Sequence, residues 1–365
     1  AFEKFPGAVD KLGKTPWLLI GGCLLLFSIG SFTIGMGEEY VPLVPIIVTM
    51  SLAMRMDAIV AMGMVWIPYG IGWGCAGINP FGVLIAQNIA NVPLTSGWGF
   101  RLAIMFVFLA VAFHHIYRYA MRVQKDPSSS LVAHVDYSVG FETPADIAMS
   151  GRRIAVLAVF LLGIAGFVYG VSEFHWYIAE LNGIFLGIGI IAAIIARIPA
   201  AETSRIFIEG AAAMTPAALL VGFARTIEVV LTDGQIIDTI VYSIAVVLEG
   251  FPAEASAIGM LVVQAICNFF IPSGSGQAFV TMPIMSPLAT LTDVPQQTAV
   301  LAYQFGDGFT NMIVPTSALV MGALALGKVP YGAWFKFVTP LLLKIFALCA
   351  VFLVVSMHIG EGAGF

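Results

Sequence analysis

Long apolar stretches alternate along this chain with short polar breaks that are rich in glycine and proline. About 20 predominantly apolar residues are enough to cross the hydrocarbon core of a bilayer as a helix. The pattern therefore predicts an all-α integral membrane protein, built as a polytopic helical bundle. The long apolar stretches cover residues 16–34, 58–71, 100–119, 154–171, 176–196, 255–271 and 340–357.

Two polar breaks follow one another in each half of the chain. In the first half, residues 35–42 separate two apolar pieces, and residues 72–80 interrupt the next apolar stretch. In the second half, residues 272–277 precede an apolar arm over 283–291, and residues 306–316 interrupt the helix that follows. Lipid cannot satisfy the backbone groups that such breaks free, so they survive only inside protein or along a cavity. This order predicts a re-entrant hairpin and a discontinuous helix in each half.

The two halves match in order, which predicts two inverted repeats with a site at their interface. The hairpin tip at Gly35 corresponds to the tip at Gly274, and Tyr69 in the first broken helix corresponds to Tyr303 in the second. The amphipathic residues 1–14 and 235–248 precede the two hairpins in the same way.

The second repeat has a preface that the first repeat lacks. Residues 152–234 have no counterpart before Ala1, so we expect about 80–90 residues to precede Ala1 in the natural protein. The predicted divisions are repeat 1 over 1–122, a cytoplasmic loop over 123–151, scaffold helices over 152–234, and a hairpin, broken helix and last span over 235–365.

The composition agrees with a membrane protein, because 59% of the residues are hydrophobic and only 10% are charged. A soluble domain carries about a quarter charged residues. Basic residues flank the hydrophilic stretch 123–150, which places it in the cytoplasm by the positive-inside rule. The four cysteines are far apart in the sequence, so no disulfide framework or zinc site is predicted.

The tip of the second hairpin has the chemistry of an anion site. Helix N-termini carry partial positive charge, and glycine lets a ligand approach the backbone. Hydroxyls and an amide add neutral donors, which suits a carboxylate; the alternative is a tight turn without a ligand. The candidate substrate-binding residues are Ser273, Gly274, Ser275, Gly276 and Gln277.

The second broken helix supplies oxygen ligands. Asp307, Thr310, Asn311 and Thr316 offer side-chain oxygens beside a predicted break. Such oxygens suit Na⁺, and a carboxylate inside the membrane also suits a proton relay. We therefore predict that Asp307 and Asn311 hold a coupling ion and that Thr310, Asn311 and Thr316 contact substrate. Local capping of the break is the alternative.

The first repeat differs in charge from the second. Glu38 and Glu39 make its hairpin tip acidic, which favours a cationic group or bound protons and opposes a dianion. The alternative is an interfacial tip that faces water. Gly77 and Asn79 in the first broken helix add neutral coordination of the ion, and Asn79 is also a candidate for substrate binding.

Other polar residues fit simpler interpretations. Arg225 and Glu228 lie three residues apart on one helical face and favour an ion pair, with contact to a substrate carboxylate as the alternative. His114 and His115 adjoin basic residues at a membrane edge, which favours lipid headgroups over a metal. No HExxH spacing or Walker A motif occurs, and the membrane-protease pattern Gly-x-Gly-Asp lacks its first glycine before Asp307. We predict neither an enzyme, a cofactor, a metal site nor nucleic-acid binding.

Three motifs carry a resemblance to a known family. They are Gly-Met-Gly-Glu-Glu at 35–39, Phe-Ile-Pro-Ser-Gly-Ser-Gly-Gln at 270–277, and Gly-Asp-Gly-Phe-Thr-Asn-Met-Ile-Val-Pro at 306–315. They resemble the YfcC-like members of the C4-dicarboxylate anaerobic carrier (DcuC-like) family, within the ion-transporter superfamily. The resemblance implies a scaffold domain, a transport domain, a homodimer, elevator motion, and Na⁺ or H⁺ coupling.

The expected function is secondary active transport of a small carboxylate-bearing organic ion, a C4-dicarboxylate or an amino acid, by alternating access. The expected location is the bacterial inner membrane, with the lipid bilayer and a small-molecule substrate as partners. Glu38, Glu39 and Asp307 keep a second substrate open, because a basic amino acid exchanged in an arginine–ornithine fashion would find carboxylates for its amines. An ion channel is the alternative from a different class.

Overall fold

The computed structural model describes residues 15–137, 150–174, 176, 178–212, the isolated positions 215, 230, 233–235, 239 and 243, and residues 251–359. This part of the chain is helical and contains no strand. Its α-helices are α1 (Pro16–Thr33), α2 (Val44–Ala53), α3 (Ala58–Gly74), α4 (Val83–Ile89), α5 (Trp98–Lys125), α6 (Gly151–Phe174), α7 (Ile178–Ala196), α8 (Ala253–Phe270), α9 (Gly274–Leu291), α10 (Gln296–Thr310), α11 (Ala318–Leu326) and α12 (Tyr331–His358). Short 3₁₀ helices cover Glu38–Leu43 and Pro127–Ser129.

Helices α1, α5, α8 and α12 are, among the described residues, long and apolar enough to cross a membrane. Their outer faces are apolar: Leu26 is 64% exposed, Phe270 69% and Leu343 68%. Exposed apolar side chains on the outside of a long helix are compatible with contact to the lipid tails of a bilayer. The prediction of an all-helical, multi-pass membrane protein is confirmed.

Helices α3 and α10 form the core of the larger compact unit, which contains residues 1–143 and 224–365. Every residue of α3 is buried, and so is every residue of α10 from Gln297 onward. Helix α3 packs against α1, helix α10 packs against α8, and α3 and α10 pack against each other. A helix that is apolar on all sides is buried on all sides, which explains why α3 has no polar face.

Residues 144–223 form a compact unit of their own. Within it, α6 and α7 pack side by side, and a Cβ atom on Gly163 would collide with the side chain of Ile188. Small residues let two membrane helices approach closely. The assignment of residues 152–234 as scaffold helices stays a prediction.

Both predicted breaks in the long helices begin later than the sequence suggested. Helix α3 continues through Gly72 to Gly74, so its break covers residues 75–82. Helix α10 continues through Gly306 and Asp307 to Thr310, so its break covers residues 311–317. The glycines were wrongly taken as helix breakers. In buried helices glycine instead permits close packing, since a Cβ on Gly72 would collide with the carbonyl oxygen of Ser28.

Three further boundaries differ. The helix at the predicted second hairpin arm is α9, which begins at Gly274 rather than at Pro283, and the last helix begins at Tyr331 rather than at Pro340. Neighbouring helices and local adjustments make proline tolerable inside membrane helices. The loop predicted over 123–151 begins after Lys125. The amphipathic residues 1–14, most of 235–248, and the Arg225–Glu228 pair lie outside the described residues.

Candidate functional site

Helices α3 and α10 cross at two glycines. A Cβ atom on Gly308 would collide with the backbone nitrogen and Cα of Gly74. A Cβ on Gly70, one turn earlier, would lie 3.0 Å from the carbonyl oxygen of Gly308. The two backbones can touch only because neither residue has a side chain at the crossing. The ends of both interrupted helices are thereby brought together.

The crossing places an aromatic donor on a buried carboxylate. Trp73 Nε1 donates to Asp307 Oδ2 at 2.7 Å, and Asn311 Nδ2 donates to Asp307 Oδ1 at 3.2 Å. Asp307 is fully buried. In the part of the chain that the structure describes, the two ion pairs are those of Arg205, so no cationic side chain neutralises Asp307 there. A buried carboxylate in this setting binds a proton or a cation, since leaving it charged and alone is costly.

Asn268, near the end of α8, joins the carboxylate to the second break. Its Nδ2 lies 3.0 Å from the carbonyl oxygen of Asp307, 2.6 Å from Thr310 Oγ1 and 3.0 Å from Asn311 Oδ1. Its Oδ1 is buried and finds no hydrogen-bond donor among the described residues. The Asn268 Nδ2 group therefore brings together oxygens of Asp307, Thr310 and Asn311 at the end of α10, while its own Oδ1 stays unpaired in the described chain.

Two glutamines beside this cluster also keep unused hydrogen-bonding atoms. Gln277 Nε2 donates to the carbonyl oxygen of Gln264 at 2.9 Å and to its Oε1 at 2.6 Å. Within the described chain, Gln264 Nε2 and Gln277 Oε1 have no partner, although both side chains are fully buried. Native proteins satisfy nearly all such atoms, so each one that is left over suggests a ligand or water.

The predicted second hairpin tip, residues 272–277, contacts both crossing helices. Ser273 caps α9 by accepting a hydrogen bond from the backbone nitrogen of Gly276 at 3.3 Å. The Tyr303 hydroxyl donates to the carbonyl oxygen of Gly274 at 2.7 Å. A Cβ on Gly274 would lie 2.7 Å from the Trp73 ring. Trp73 thus touches the hairpin tip and holds Asp307 at the same time. Ser275 and Gly276 are half-buried in the first turn of α9.

The predicted first hairpin tip, residues 35–39, contacts α3 and the break that follows it. Gly35 has a left-handed backbone (φ 79°), and a Cβ there would lie 2.5 Å from Asn79 Oδ1. A Cβ on Gly37 would lie 2.7 Å from the Tyr69 ring. Glu39 is exposed and accepts from the Gly37 nitrogen at 2.9 Å, whereas Glu38 is half-buried.

Gly77 and Asn79, predicted to coordinate an ion, tie the first break to α1. Asn79 is fully buried; its Nδ2 donates to the carbonyl oxygen of Ser31 at 3.4 Å and its Oδ1 accepts from the Phe81 nitrogen at 2.7 Å. The Gly77 nitrogen donates to the carbonyl oxygen of Phe32 at 3.2 Å. These hydrogen bonds fix the conformation of the break. They occupy both polar atoms of the Asn79 side chain and the backbone nitrogen of Gly77.

Thr310 and Thr316 differ from the other predicted residues. The Thr310 hydroxyl bonds back to the carbonyl oxygen of Gly306 within α10 while receiving Asn268. Thr316 is exposed, and its hydroxyl donates to the carbonyl oxygen of Phe269 at 2.7 Å. Thr316 therefore connects the second break to the end of α8 but stands apart from the buried cluster.

The sequence interpretation missed a buried arginine at the other side of the first break. Arg101 on α5 is fully buried. Its Nε donates to Gln304 Oε1 at 2.8 Å, and its two terminal nitrogens donate to the Ser96 carbonyl oxygen at 2.8 Å and Gln297 Oε1 at 3.0 Å. Gln304 Nε2 in turn donates to the carbonyl oxygen of Ala76 at 3.0 Å. The sequence did contain a signal for this site, because Arg101 is a basic residue at the start of the apolar stretch 100–119.

Asp57 organises the opposite end of α3. Its Oδ1 caps the helix by accepting from the Val60 nitrogen at 3.0 Å, and its Oδ2 accepts from Tyr119 and Ser130 hydroxyls at 2.6 Å each. Burial raises the pKa of this carboxyl, and the hydrogen bonds oppose the rise. The segment after α5 is therefore fastened to α3, and the Tyr137 hydroxyl fastens it to the Lys328 carbonyl oxygen at 3.0 Å.

The family model of the C4-dicarboxylate anaerobic carriers (DcuC) matches residues 8–358, nearly the whole chain. The chain belongs to this family. The family resemblance seen in the sequence motifs is thereby confirmed, and the protein is a member of a membrane transporter family.

Two relatives of this family member are similar over most of their length. The chain is 35% identical over 357 residues to the putative basic amino acid antiporter YfcC of Escherichia coli, covering 94% of this chain and 70% of the relative. It is 32% identical over 357 residues to an uncharacterized protein of Haemophilus influenzae, covering 96% of this chain and 70% of the relative.

Two solved transporters share the fold at low sequence identity. The YdaH transporter of Alcanivorax borkumensis has a TM-score of 0.63 at 16% identity, over 96% of this chain and 80% of its own. MtrF of Neisseria gonorrhoeae, from a class of antimetabolite efflux pumps, has a TM-score of 0.58 at 16% identity, over 96% of this chain and 75% of its own. At this identity the likeness concerns the fold alone.

Proposed function

We propose that this carrier-family protein is a secondary active transporter that moves a small carboxylate-bearing organic ion, a C4-dicarboxylate or an amino acid, by alternating access. The observation that carries the proposal is the crossing of two interrupted helices at Gly74 and Gly308, with Asp307 buried beside it. Transporters place substrate and coupling ion where discontinuous helices of two repeats meet.

The coupling ion in this proposal binds at Asp307. Support comes from the buried carboxylate without a described cationic partner and from the unpaired Oδ1 of Asn268 beside it. Asn311 Oδ1 is a third oxygen in the same cluster, 3.0 Å from Asn268 Nδ2. Oxygen ligands of this kind suit Na⁺, and the same carboxylate accepts H⁺. Gly77 and Asn79 are proposed for the equivalent position of the first repeat.

The substrate in this proposal contacts the two hairpin tips. The first turn of α9 offers the backbone N–H of Ser275, together with the Ser273 and Ser275 hydroxyls, to a carboxylate. The first hairpin tip offers Glu38 and Glu39 to a positively charged group. Trp73 lies between the second hairpin tip and Asp307, so movement of that tip would alter the hydrogen bond that Trp73 donates to the Asp307 carboxylate. Such a link would couple substrate binding to ion binding.

The proposal includes two inverted repeats whose tips are re-entrant hairpins, a homodimer, and location in the bacterial inner membrane. Elevator motion of the domain that carries both tips is the proposed form of alternating access. The repeat proposal is supported by the equivalent glycines, Gly74 and Gly308, which meet at one crossing.

A second candidate is exchange of basic amino acids. The specific observation in its favour is the pair of carboxylates at tip 1 together with Asp307, because three acidic groups near one site suit a substrate with amines. The name of the relative YfcC points to the same class of substrate.

Transport by purified protein in sealed liposomes tests the proposal. Labelled succinate, fumarate, arginine and ornithine would be offered under an imposed Na⁺ gradient, an imposed H⁺ gradient, and with unlabelled substrate inside. We expect saturable uptake of one class that follows one gradient; stimulation by internal ornithine or arginine would select the exchanger. Flux that does not saturate would favour a channel, and no uptake of any carboxylate would contradict the proposal.

A further inference from the structure

Helix α5 is longer than a bilayer requires. It has 28 residues, which span about 42 Å at 1.5 Å per residue, against about 30 Å of hydrocarbon. With Trp98 at one edge of the hydrocarbon, about eight residues extend beyond the other edge. These last residues include Arg118, Arg122 and Lys125, all of which are exposed. The helix therefore carries three cations at the depth of the lipid headgroups and just beyond.

The three cations share one face of the helix. Their spacing of four and three residues keeps them within one stripe, because such positions lie above one another on a helix. Tyr117 and Met121 flank the stripe, and the five side chains line a pocket of about 350 Å³. The Tyr117 ring stacks on Phe113, with centroids 5.5 Å apart, which fixes one wall of the pocket.

The pocket's positive charge is not neutralised by the described residues. Among the described residues the ion pairs are those that Arg205 makes with Glu202 and Glu209, none of which lines the pocket. The side chains of Arg118, Arg122 and Lys125 make no ion pair with the described residues. Cations at the C-terminal end of a helix interact favourably with its dipole, but that interaction does not require a concave pocket with an aromatic wall. Two guanidinium groups four residues apart can bind one phosphate from two sides.

The geometry points to a binding site for the headgroup phosphate of an anionic phospholipid, formed by Tyr117, Arg118, Met121, Arg122 and Lys125. The cations bind the phosphate while Tyr117 and Met121 contact the glycerol and the first methylenes of the acyl chains. A soluble anion has no apolar part to contact Tyr117 and Met121, whereas a phospholipid has one. The pocket therefore favours a lipid over a soluble anion. The site is independent of the transported substrate.

The site is connected to the ends of two core helices. Tyr119, on the same turn of α5, donates to Asp57 at the start of α3, and Gln124 Nε2 donates to the carbonyl oxygen of Met54 at 2.8 Å. A lipid that holds this end of α5 would therefore stabilise the junction between α2 and α3.

Binding to purified full-length protein in a neutral detergent tests the inference. The ligand would be phosphatidylglycerol, compared with phosphatidylcholine, and the readouts are apparent affinity by native mass spectrometry and the shift in melting temperature. We expect preference for phosphatidylglycerol, and the double substitution Arg118→Gln, Arg122→Gln should weaken its binding about 30-fold by the loss of two headgroup contacts. The matched control is Arg152→Gln, Arg153→Gln at the start of α6, which should leave the affinity unchanged.

Two results would overturn the inference. One is full retention of the phosphatidylglycerol preference in the Arg118, Arg122 double variant. The other is equal stabilisation by inorganic phosphate at the same concentration, which would make the pocket a site for a soluble anion. If the double variant does not fold, high salt applied to the wild-type protein serves instead, because screening should abolish the preference for the anionic lipid. A preference that survives high salt would contradict a charge-based headgroup site.

Discussion

Trp73 Nε1 donates a 2.7 Å hydrogen bond to Asp307 Oδ2, and each residue lies four positions after a tyrosine at matching points in the two halves of the chain, Tyr69 and Tyr303. The next residues, Gly74 and Gly308, touch backbone to backbone. In two repeats related by a two-fold axis, equivalent positions near that axis contact each other. The bond is therefore the contact that the proposed inverted repeats predict, with a tryptophan on one side and a carboxylate on the other.

Replacing Trp73 with Phe should reduce transport strongly while the protein still folds. The ring volume is largely kept, but Asp307 loses a buried hydrogen-bond donor, a change that costs about 1.5–3 kcal/mol for a charged acceptor. The ion concentration that gives half-maximal uptake should also change, since the Asp307 carboxylate would be held in place less firmly. The measurement is gradient-driven uptake against ion concentration in liposomes. Trp17→Phe, at a ring that is 53% exposed on α1, is the matched control and should be silent.

Asp307→Asn should abolish coupled transport and leave folding intact. The substitution keeps the size of the side chain and one of its two accepted hydrogen bonds, but it removes the charge that binds Na⁺ or H⁺ in the proposed mechanism. Uptake under an imposed gradient and elution as a single species in size-exclusion chromatography are the two measurements. Asp126→Asn, at an exposed position after α5, controls for the loss of one carboxylate. Unchanged gradient-driven uptake would remove Asp307 from the mechanism.

Gly308→Ala should destabilise the fold because the new methyl group meets the backbone of Gly74. Overpacking of a rigid site costs about 1–3 kcal/mol, and backbone cannot move aside as a side chain can. The control is Gly22→Ala inside α1, where a Cβ meets nothing within 4 Å and where alanine should stabilise the helix by about 0.5–1 kcal/mol. Thermal unfolding in detergent should move the two melting temperatures in opposite directions. Equal shifts would mean that the glycine crossing is not tightly packed.

The sequence could predict one partner of the Trp73–Asp307 hydrogen bond but not the other. Asp307 was identifiable because a carboxylate inside an apolar stretch is rare and costly. Trp73 was not, because an aromatic residue in an apolar helix has the same appearance whether it faces lipid or a partner. Its role depends on the crossing of α3 and α10, which lie more than 200 residues apart in the chain.

The helices were easier to predict than their interruptions. The end of α1 at Thr33 and the start of α11 at Ala318 agree with the apolar pattern, since long apolar stretches have few alternatives to a helix in lipid. The end of α10 did not agree, because Gly306 and Gly308 were taken as breakers. Whether a glycine breaks a helix or lets a neighbour approach depends on what lies against it, and the sequence does not contain that information.

Arg101→Gln should destabilise the protein and weaken the apparent affinity for the coupling ion. Arg101 holds Gln304, which holds the Ala76 carbonyl oxygen at the first break, so its loss should loosen that break. Three hydrogen bonds from a charged donor are lost together, two of them buried and one partly buried, each worth about 1.5–3 kcal/mol. Arg101→Lys should recover only part of the loss, because an ammonium cannot reproduce the planar fork. Melting temperature and the ion concentration for half-maximal uptake are the measurements. Arg152→Gln, at an exposed position, is the control.

Asp57→Ala should destabilise the end of α3 without affecting the ion site directly. The substitution removes a helix cap, worth about 1 kcal/mol, and leaves the Tyr119 and Ser130 hydroxyls without their acceptor. Tyr119→Phe should cost less, because Asp57 keeps the helix cap and the bond from Ser130. It removes the bond to Asp57, worth about 1.5–3 kcal/mol for a charged acceptor, and the acceptor of the Leu131 backbone nitrogen. The two melting temperatures should therefore fall in the order wild type, Tyr119→Phe, Asp57→Ala.

Proteolysis can separate this local effect from general unfolding. Asp57 and Ser130 fasten the segment that follows α5, so Asp57→Ala should increase cleavage between residues 126 and 137 before the rest of the chain becomes sensitive. Tyr169→Phe, at a ring that is 60% exposed on α6, is the matched control for Tyr119→Phe. Cleavage that begins elsewhere in the chain would show that Asp57 supports the whole bundle rather than this junction.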